Sequence, residues 1–322
     1  MIRCIGLVIE TRPDYSGRKE ANLMLKLGCT RVELGVQSVF DDVLNNINRG
    51  HGVKEIIEST KLLKDFGFKV TYHYMLGLPG SNREKDVQGF KLLFGSQDFQ
   101  PDMLKIYPCV VTRGTKLFED YKKGKYKPLD VKETAEIISE LKKYVPSYVR
   151  IMRIQRDIPS IQIEAGPDRT NLRQYVQAIM TKKGIKCKCI RCMETDEVGE
   201  KYNIFINSYL ASCGREYFIS SENQNGLFGF CRLRFPFSRL RKEITRESAL
   251  IRELHVYGDI VNVGGKAKVQ HRGIGKRLLE VSEEIAKHNG IKKMIIISGI
   301  GVRDYYKNLG YKLEGSYMIK KL

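Results

Sequence analysis

Two rhythms of apolar residues run through the first half of the chain. Short apolar runs at residues 4–9, 31–36, 69–76, 103–107 and 149–155 have the length and content expected of strands. Between them, apolar residues recur at helical spacing over 19–27, 53–66, 86–94 and 133–145. The clearest of these is 53–66, where Ile56, Ile57, Leu62 and Leu63 share a face and Gly67 ends the pattern. Strand–helix alternation of this kind predicts a parallel α/β sheet or barrel, and residues 1–150 are read as one domain. Spacing does not choose between an open sheet and a closed barrel. In either, ligands collect at the C-terminal ends of the strands. Glu10, Thr11 and Arg12, then Gln37 and Ser38, then Gly77, Pro79 and Gly80, then Pro108 and Cys109 follow four successive strands, and together they predict a pocket.

The pattern differs in the last third, residues 201–322. Residues 251–258 (IRELHVYG) read as a buried strand and 294–297 as a short central one. Between them 270–276 (QHRGIGK) opens a helix that runs to about residue 288, with Leu278, Leu279, Ser282, Ile285 and Ala286 on its apolar or small face. The physics of 270–276 is anion binding. Gly273 and Gly275 let backbone approach a ligand closely. The helix start near Ile274 offers unpaired N–H groups at the positive end of the dipole. Arg272 and Lys276 add charge, Gln270 opens the motif, and a pyrophosphate fits such a loop. Taken alone, this Gly-x-Gly is equally an ordinary strand-to-helix turn.

Charge and cysteines change the picture further. The 322 residues carry a formal net charge of +19, which favours a polyanionic partner, nucleic acid first. The basic residues are spread along the chain, as for a folded basic surface; a lysine-rich solvated surface of the kind some thermophiles carry is the alternative. No apolar run reaches the length of a membrane span and no secretory signal pattern opens the chain, so a cytoplasmic location and no membrane partner are expected. Residues 151–200 form a basic connector that holds three of the eight cysteines, Cys187, Cys189 and Cys192. In a reducing compartment that spacing suggests a metal, zinc first, in a structural role. Cys109 is the candidate fourth ligand, with His51, His73 and water as rivals; a redox-active cluster and free surface thiols are the alternatives. Arg150, Arg153, Arg156, Arg169 and Arg173 flank the same region and read either as a phosphate-binding stripe or as local ion pairs.

In order, the strand, the Gln-x-x-Gly-x-Gly turn, the helix, the apolar strand and Tyr-Tyr-x-x-x-Gly-Tyr resemble the GCN5-related N-acetyltransferase family. The resemblance implies that Glu253, Leu254, His255 and Val256 lie along the acetyl-pantetheine arm of acetyl-CoA and that residues 270–276 hold its pyrophosphate. It implies that Tyr306 protonates the departing thiolate. Tyr305 is read as packing in the first instance, and His255 as the ionisable group beside the thioester or a packed strand histidine.

Longer strings extend the likeness. IETRPDY at 9–15, GCTRVELGVQS at 28–38, NRGH at 48–51, LKIYP at 104–108, VRIMRIQRDIP at 149–159, ELHVYG at 253–258 and SGIGVRDYY at 298–306 resemble the catalytic subunit of Elongator, through nearly the whole chain in order. That family joins a radical S-adenosylmethionine barrel to an acetyltransferase domain and modifies the wobble uridine of tRNA. The resemblance therefore implies a partial TIM-like radical barrel followed by a GNAT-type domain. It implies acetyl-CoA as the two-carbon donor, tRNA as partner, and a homodimer or accessory Elongator-type subunits as protein partners. The family's 4Fe-4S cysteines lie upstream of the stretch that begins here, so cluster ligands are expected to be missing and S-adenosylmethionine binding to be weak. Three functions stay open: tRNA-stimulated acetyl-CoA turnover, protein lysine acetylation with Glu253 or a water chain as base, and non-catalytic binding of tRNA and acetyl-CoA.

Overall fold

The computed structural model describes residues 4–169, 171–195, 201–257 and 273–322. The first half of the chain builds β1 (Val8–Thr11), α1 (Arg18–Lys26), β2 (Arg31–Gln37), α2 (Asp41–Asn46), α3 (Val53–Asp65), β3 (Lys69–Leu76), α4 (Arg83–Gly95) and β4 (Met103–Pro108). There follow β5 (Val111–Thr112), α5 (Lys116–Lys122), α6 (Val131–Leu141), β6 (Arg150–Arg153), β7 (Ile163–Ala165), α7 (Leu172–Lys182) and α8 (Ile190–Met193). Strands β1, β2, β3, β4 and β6 form a five-stranded sheet in that order, and β4 is parallel to both β3 and β6. Almost every residue of β2 and β3 is buried, as a parallel sheet covered on both faces requires. Helix α6 begins with a capping box between Asp130 and Glu133, which satisfies two of its free N–H donors.

The last third builds β8 (Asn203–Ala211), β9 (Gly214–Asn223), β10 (Gly226–Phe235), β11 (Ser248–Val256), α9 (Ile274–His288), β12 (Lys293–Ile296), α10 (Arg303–Lys307), β13 (Lys312–Glu314) and β14 (Tyr317–Lys321). Its seven strands lie in the order β13-β14-β12-β11-β10-β9-β8. The β11–β12 pair is parallel, joined across α9, and the other pairs are antiparallel. Leu278, Leu279, Val281 and Ala286 of α9 pack on Cys231, Ala249, Ile251, Met294 and Ile296 of the sheet, so the apolar face read from the sequence is the buried one.

The chain divides into two compact units that are interleaved in sequence. One comprises residues 1–33, 57–70 and 193–322, the other 34–56 and 71–192. Within the first unit, a set of fully buried charges joins residues 57–70 to the seven-stranded sheet. Arg234 binds Asp65 at 2.6 Å and Glu216 at 2.9 Å, Arg252 binds Glu216 at 3.0 Å, and Lys64 lies 3.7 Å from Glu216. Arg252 also donates to the Phe68 carbonyl, and Asp65 accepts from the Phe237 and Ser238 amides. Charges this deep are tolerated only when paired and hydrogen-bonded.

Candidate functional site

The β11–β12 ladder runs from Ser248–Lys293 to Ile251–Ile296, with a last bond from the Ile297 amide to the Ile251 carbonyl at 3.2 Å. Strand β11 then continues to Val256, paired only on its β10 side in the described ladders. Beyond Ile251 the β12 side of β11 has no strand in the described ladders, and the backbone of Glu253, Leu254, His255 and Val256 borders this opening. Helix α9 starts beside it. Gly273 is its N-cap at φ +75°, ψ 7°, a left-handed conformation that glycine adopts without strain, and no side chain caps the helix. The first turn has no acidic residue; Lys276 and Arg277 stand there instead, both exposed and paired with Glu280 and Glu284 further along the helix. Two cations at the positive end of a helix dipole favour an anionic ligand. A Cβ on Gly275 would lie 3.1 Å from the Tyr305 hydroxyl and 3.5 Å from Val256, so these three groups line one spot at the helix start. Gln270 and Arg272 lie outside the described residues.

The two tyrosines differ in setting. Tyr305 is 42% exposed, with its hydroxyl at Gly275. Tyr306 is buried, edge-on to Tyr305 at 5.2 Å and to Tyr311 at 6.1 Å, in the same core as Cys231. Burial first, then Cys231 and Tyr305, push its hydroxyl above the ordinary tyrosine range, so it keeps its proton at neutral pH. His255 is exposed, stacked on Phe230 at 5.8 Å and edge-on to Tyr257 at 4.5 Å. Leu254 and Val256 pack on the α9 side.

One residue at this site was not found from the sequence. Arg232 of β10 is buried against the rings of Phe218 and Phe230, 5.3 and 5.1 Å away, and its Nε donates to Glu253 at 2.8 Å. Burial alone would raise the Glu253 carboxyl, but Arg232 and then Lys69 outweigh it and hold it below the usual range. The available signal was the alternation Cys231-Arg232-Leu233-Arg234-Phe235, which sets two arginines on one face of an apolar strand and so requires buried acids opposite them.

Cys187, Cys189 and Cys192 do converge: their sulfurs all lie within 4.8 Å of one another. The Lys142 ammonium donates to the Cys192 sulfur at 3.4 Å. Hydrogen bonds from Cys187 and Cys189 push the Cys192 thiol down, which favours a thiolate in the group. Three soft donors in this arrangement suit a thiophilic metal, either zinc completed by a fourth ligand or a three-cysteine iron–sulfur site. The expectation that cluster ligands are missing from this chain is thus not borne out. Cys109 does not join the triad, nor do His51 and His73. The Ile190 amide bonds to the carbonyl of Val149, just before β6, so the triad stands at that strand's N-terminal end. Cys109 follows the C-terminal end of β4, which runs parallel to β6 from Met103 opposite Arg150. Six residues of extended chain, about 20 Å, separate the two ends. Cys109 packs instead with Val43 and Leu78, and burial raises its thiol.

The C-terminal end of β3 carries a cavity of about 430 Å³. It is lined by Gly77, Pro79 and Gly80, as expected, and by Asp86, Lys125 and Tyr126. Burial raises the Asp86 carboxyl to about 6, against bonds from Ser81 and the Gly77 amide that lower it. The arginine stripe is occupied locally. Arg153 pairs with Asp157, Arg156 lies over Tyr107, and Arg173 reaches the carbonyls of Ile151 and Met152. Among the described residues, no helix is long and apolar enough to cross a membrane.

Comparison with known proteins assigns parts of the chain to families. Residues 2–92 match the Radical SAM superfamily, 101–182 the Radical_SAM C-terminal domain, and 190–311 the Acetyltransferase (GNAT) family. These matches imply S-adenosylmethionine, iron–sulfur and acetyl-CoA as cofactor classes. The chain is 42% identical over 333 residues to a tRNA uridine(34) acetyltransferase of Dehalococcoides mccartyi, covering 99% of this chain and 72% of that one. It is 49% identical over 335 residues to the protein of that name from Methanocaldococcus jannaschii, covering 99% and 62%. To human Elongator complex protein 3 it is 42% identical over 335 residues, covering 100% and 61%. It therefore spans about three-fifths of the length of these last two relatives. A solved structure of an archaeal Elp3 from Methanocaldococcus infernus, with an N-terminal deletion, superposes with a TM-score of 0.95 at 47% identity, covering 99% of this chain and 79% of that one.

Proposed function

The chain belongs to the family of tRNA uridine(34) acetyltransferases and Elongator complex protein 3, and from that membership we propose that it uses acetyl-CoA to modify the wobble uridine of tRNA at the ring's carbon-5. The end product is a carboxymethyl-type uridine. The observation that carries this reading is the opening between β11 and β12 beside an uncapped, base-flanked helix start.

In this reading, the edge at Glu253, Leu254, His255 and Val256 takes the pantetheine arm through backbone groups. Gly273, Ile274, Gly275 and Lys276, with Gln270 and Arg272, hold the pyrophosphate. The Tyr305 hydroxyl contacts the coenzyme where it leaves the helix start, and Tyr306, protonated at neutral pH before the reaction, gives its proton to the departing thiolate and regains one from solvent afterwards. His255 borders the thioester. Lysine acetylation is the weaker reading. It needs a base with a pKa near the operating pH, and Arg232 and Lys69 hold Glu253 ionised below that range. The net charge of +19 also suits tRNA better than basic protein tails.

S-adenosylmethionine and an iron–sulfur cluster, when bound, supply the radical that starts bond formation in this family. The thiol triad does not fit that role, because barrel chemistry belongs at the C-terminal ends of strands and the triad stands at an N-terminal end, where residues serve stability. We assign it zinc in a structural role. Metal analysis should find one zinc per chain, and Cys189→Ser should release it and expose Cys187 and Cys192 to alkylation. Iron in place of zinc, with visible absorption, would overturn the assignment.

Coenzyme binding is tested by calorimetric titration with CoA. Wild type should show one site. Gly275→Val, which crowds the Tyr305 hydroxyl and Val256 at the helix start, should bind about 30-fold more weakly, near 2 kcal/mol. Unchanged binding in Gly275→Val would remove the pyrophosphate from this loop.

A further inference from the structure

Four strands of the seven-stranded sheet carry a row of cross-strand neighbours on one face. Phe205 of β8 lies opposite Ser220 of β9, Ser220 opposite Phe230 of β10, and Phe230 opposite His255 of β11. Side chains alternate along a strand. Leu254 and Val256 pack on the α9 side, so His255 stands on the other face, with Glu253 and its partner Arg232 next to it. The His255 ring is stacked on Phe230, centroids 5.8 Å apart and planes 28° from parallel, and it meets Tyr257 edge-on at 4.5 Å. Phe230 is buried, whereas His255 is exposed. The row therefore ends at β11 on an imidazole with a buried ring on its β10 side. On its other side lies the opening, where β11 has no paired strand beyond Ile251 in the described ladders.

We propose that the outer face of His255 is a stacking platform for the acceptor base, and that the wobble uracil takes the next place in this row. The proposal rests on the reading of the chain as an acetyl-CoA enzyme acting on tRNA, and it adds how the acceptor is held. An enzyme that works on a base takes it out of the stack of its neighbours, and an aromatic side chain offsets that cost because every base has a π-face. A ring that continued the row would lie about one strand spacing, 4.8 Å, from β11. The backbone edge of β11 is where the pantetheine arm runs in this reading, so base and acetyl group would be neighbours. The imidazole is oriented in advance, by Phe230 against one face and Tyr257 at its edge. A platform set beforehand costs little ordering when the base arrives. The same feature selects the acceptor. A lysine side chain has no ring to lay on this surface, whereas a nucleobase does. Stacking uses the ring of His255 and not its proton, which separates this role from that of an acid or base beside the thioester.

The test uses tRNA with the fluorescent base 2-aminopurine at the wobble position, titrated with the purified chain in the presence of CoA. This base is bright when it stands alone and is quenched when it stacks on a ring. Wild type should bind the tRNA with the probe quenched. His255→Phe keeps a flat ring without a titratable nitrogen and should quench it too. His255→Ala should bind about tenfold more weakly, as expected for one lost base stack, and leave the probe several-fold brighter. Phe205→Ala, at the far end of the row and 52% exposed, should match wild type. Both positions are exposed, so the variants should fold, and circular dichroism checks this. Equal brightness in wild type and His255→Ala would overturn the platform, as would His255→Phe as bright as His255→Ala, or a Phe205→Ala that brightens as much as His255→Ala. Each of those results leaves the coenzyme reading in place, since CoA binding is measured separately. A wild-type chain that binds neither CoA nor tRNA would instead overturn the functional reading, and the platform with it.

Discussion

Asp65→Ala should destabilise the protein by about 3–5 kcal/mol, the usual cost of leaving a buried charge unpaired. Asp65 takes two donors from the Arg234 guanidinium and two backbone amides, from Phe237 and Ser238, and neither charged side chain reaches solvent. Its removal leaves three cations, Lys64, Arg234 and Arg252, around Glu216 with one buried carboxylate fewer. The measure is the shift in denaturant midpoint. Asp65→Leu combined with Arg234→Met should recover much of the loss, because it removes both members of the pair and fills their volume with apolar atoms. A loss below about 1 kcal/mol in Asp65→Ala, the range of an exposed pair, would show that water reaches the network.

The parts of this architecture that repeat locally were legible in the sequence. The face of α9 and the strands at 69–76 and 103–107 emerge from short-range periodicity, because each element's burial is written in its own residues. Ends were less legible. The helix read over 133–145 stops at Leu141 and gives way to a 3-10 turn at Lys142–Tyr144, and the strand read over 4–9 is found at Val8–Thr11. Charged groups inside the core were not legible at all. Arg234 and Asp65 are 169 positions apart, so nothing near either residue announces its partner. The sequence groups Cys109 with the other cysteines for a similar reason. Its position after a strand was correct, but only the parallel β4–β6 register shows which end of the sheet the triad occupies. The tyrosine pair was legible as a motif, whereas the placing of the Tyr305 hydroxyl beside Gly275 depends on how α10 meets α9.

Tyr306→Phe should lower turnover of acetyl-CoA about 100-fold, the lower end of what a positioned acid contributes, with little change in KM. The substitution removes one hydroxyl from a buried ring and leaves its packing against Tyr305 and Tyr311 in place. Tyr305→Phe should do the reverse. It deletes the hydroxyl at the helix start, so KM for acetyl-CoA should rise several-fold while kcat changes little. Equal losses of kcat in both variants would mean that the two rings act only as a packed unit.

The account stands on acetyl-CoA chemistry in the β11–β12 opening that answers to tRNA. The most direct measurement is the rate of acetyl-CoA hydrolysis by the purified chain with and without tRNA. The rate should be low alone, rise when tRNA is added, and fall back with salt as phosphate contacts are lost. A rate indifferent to tRNA, with acetyl groups passed to a lysine peptide instead, would contradict it.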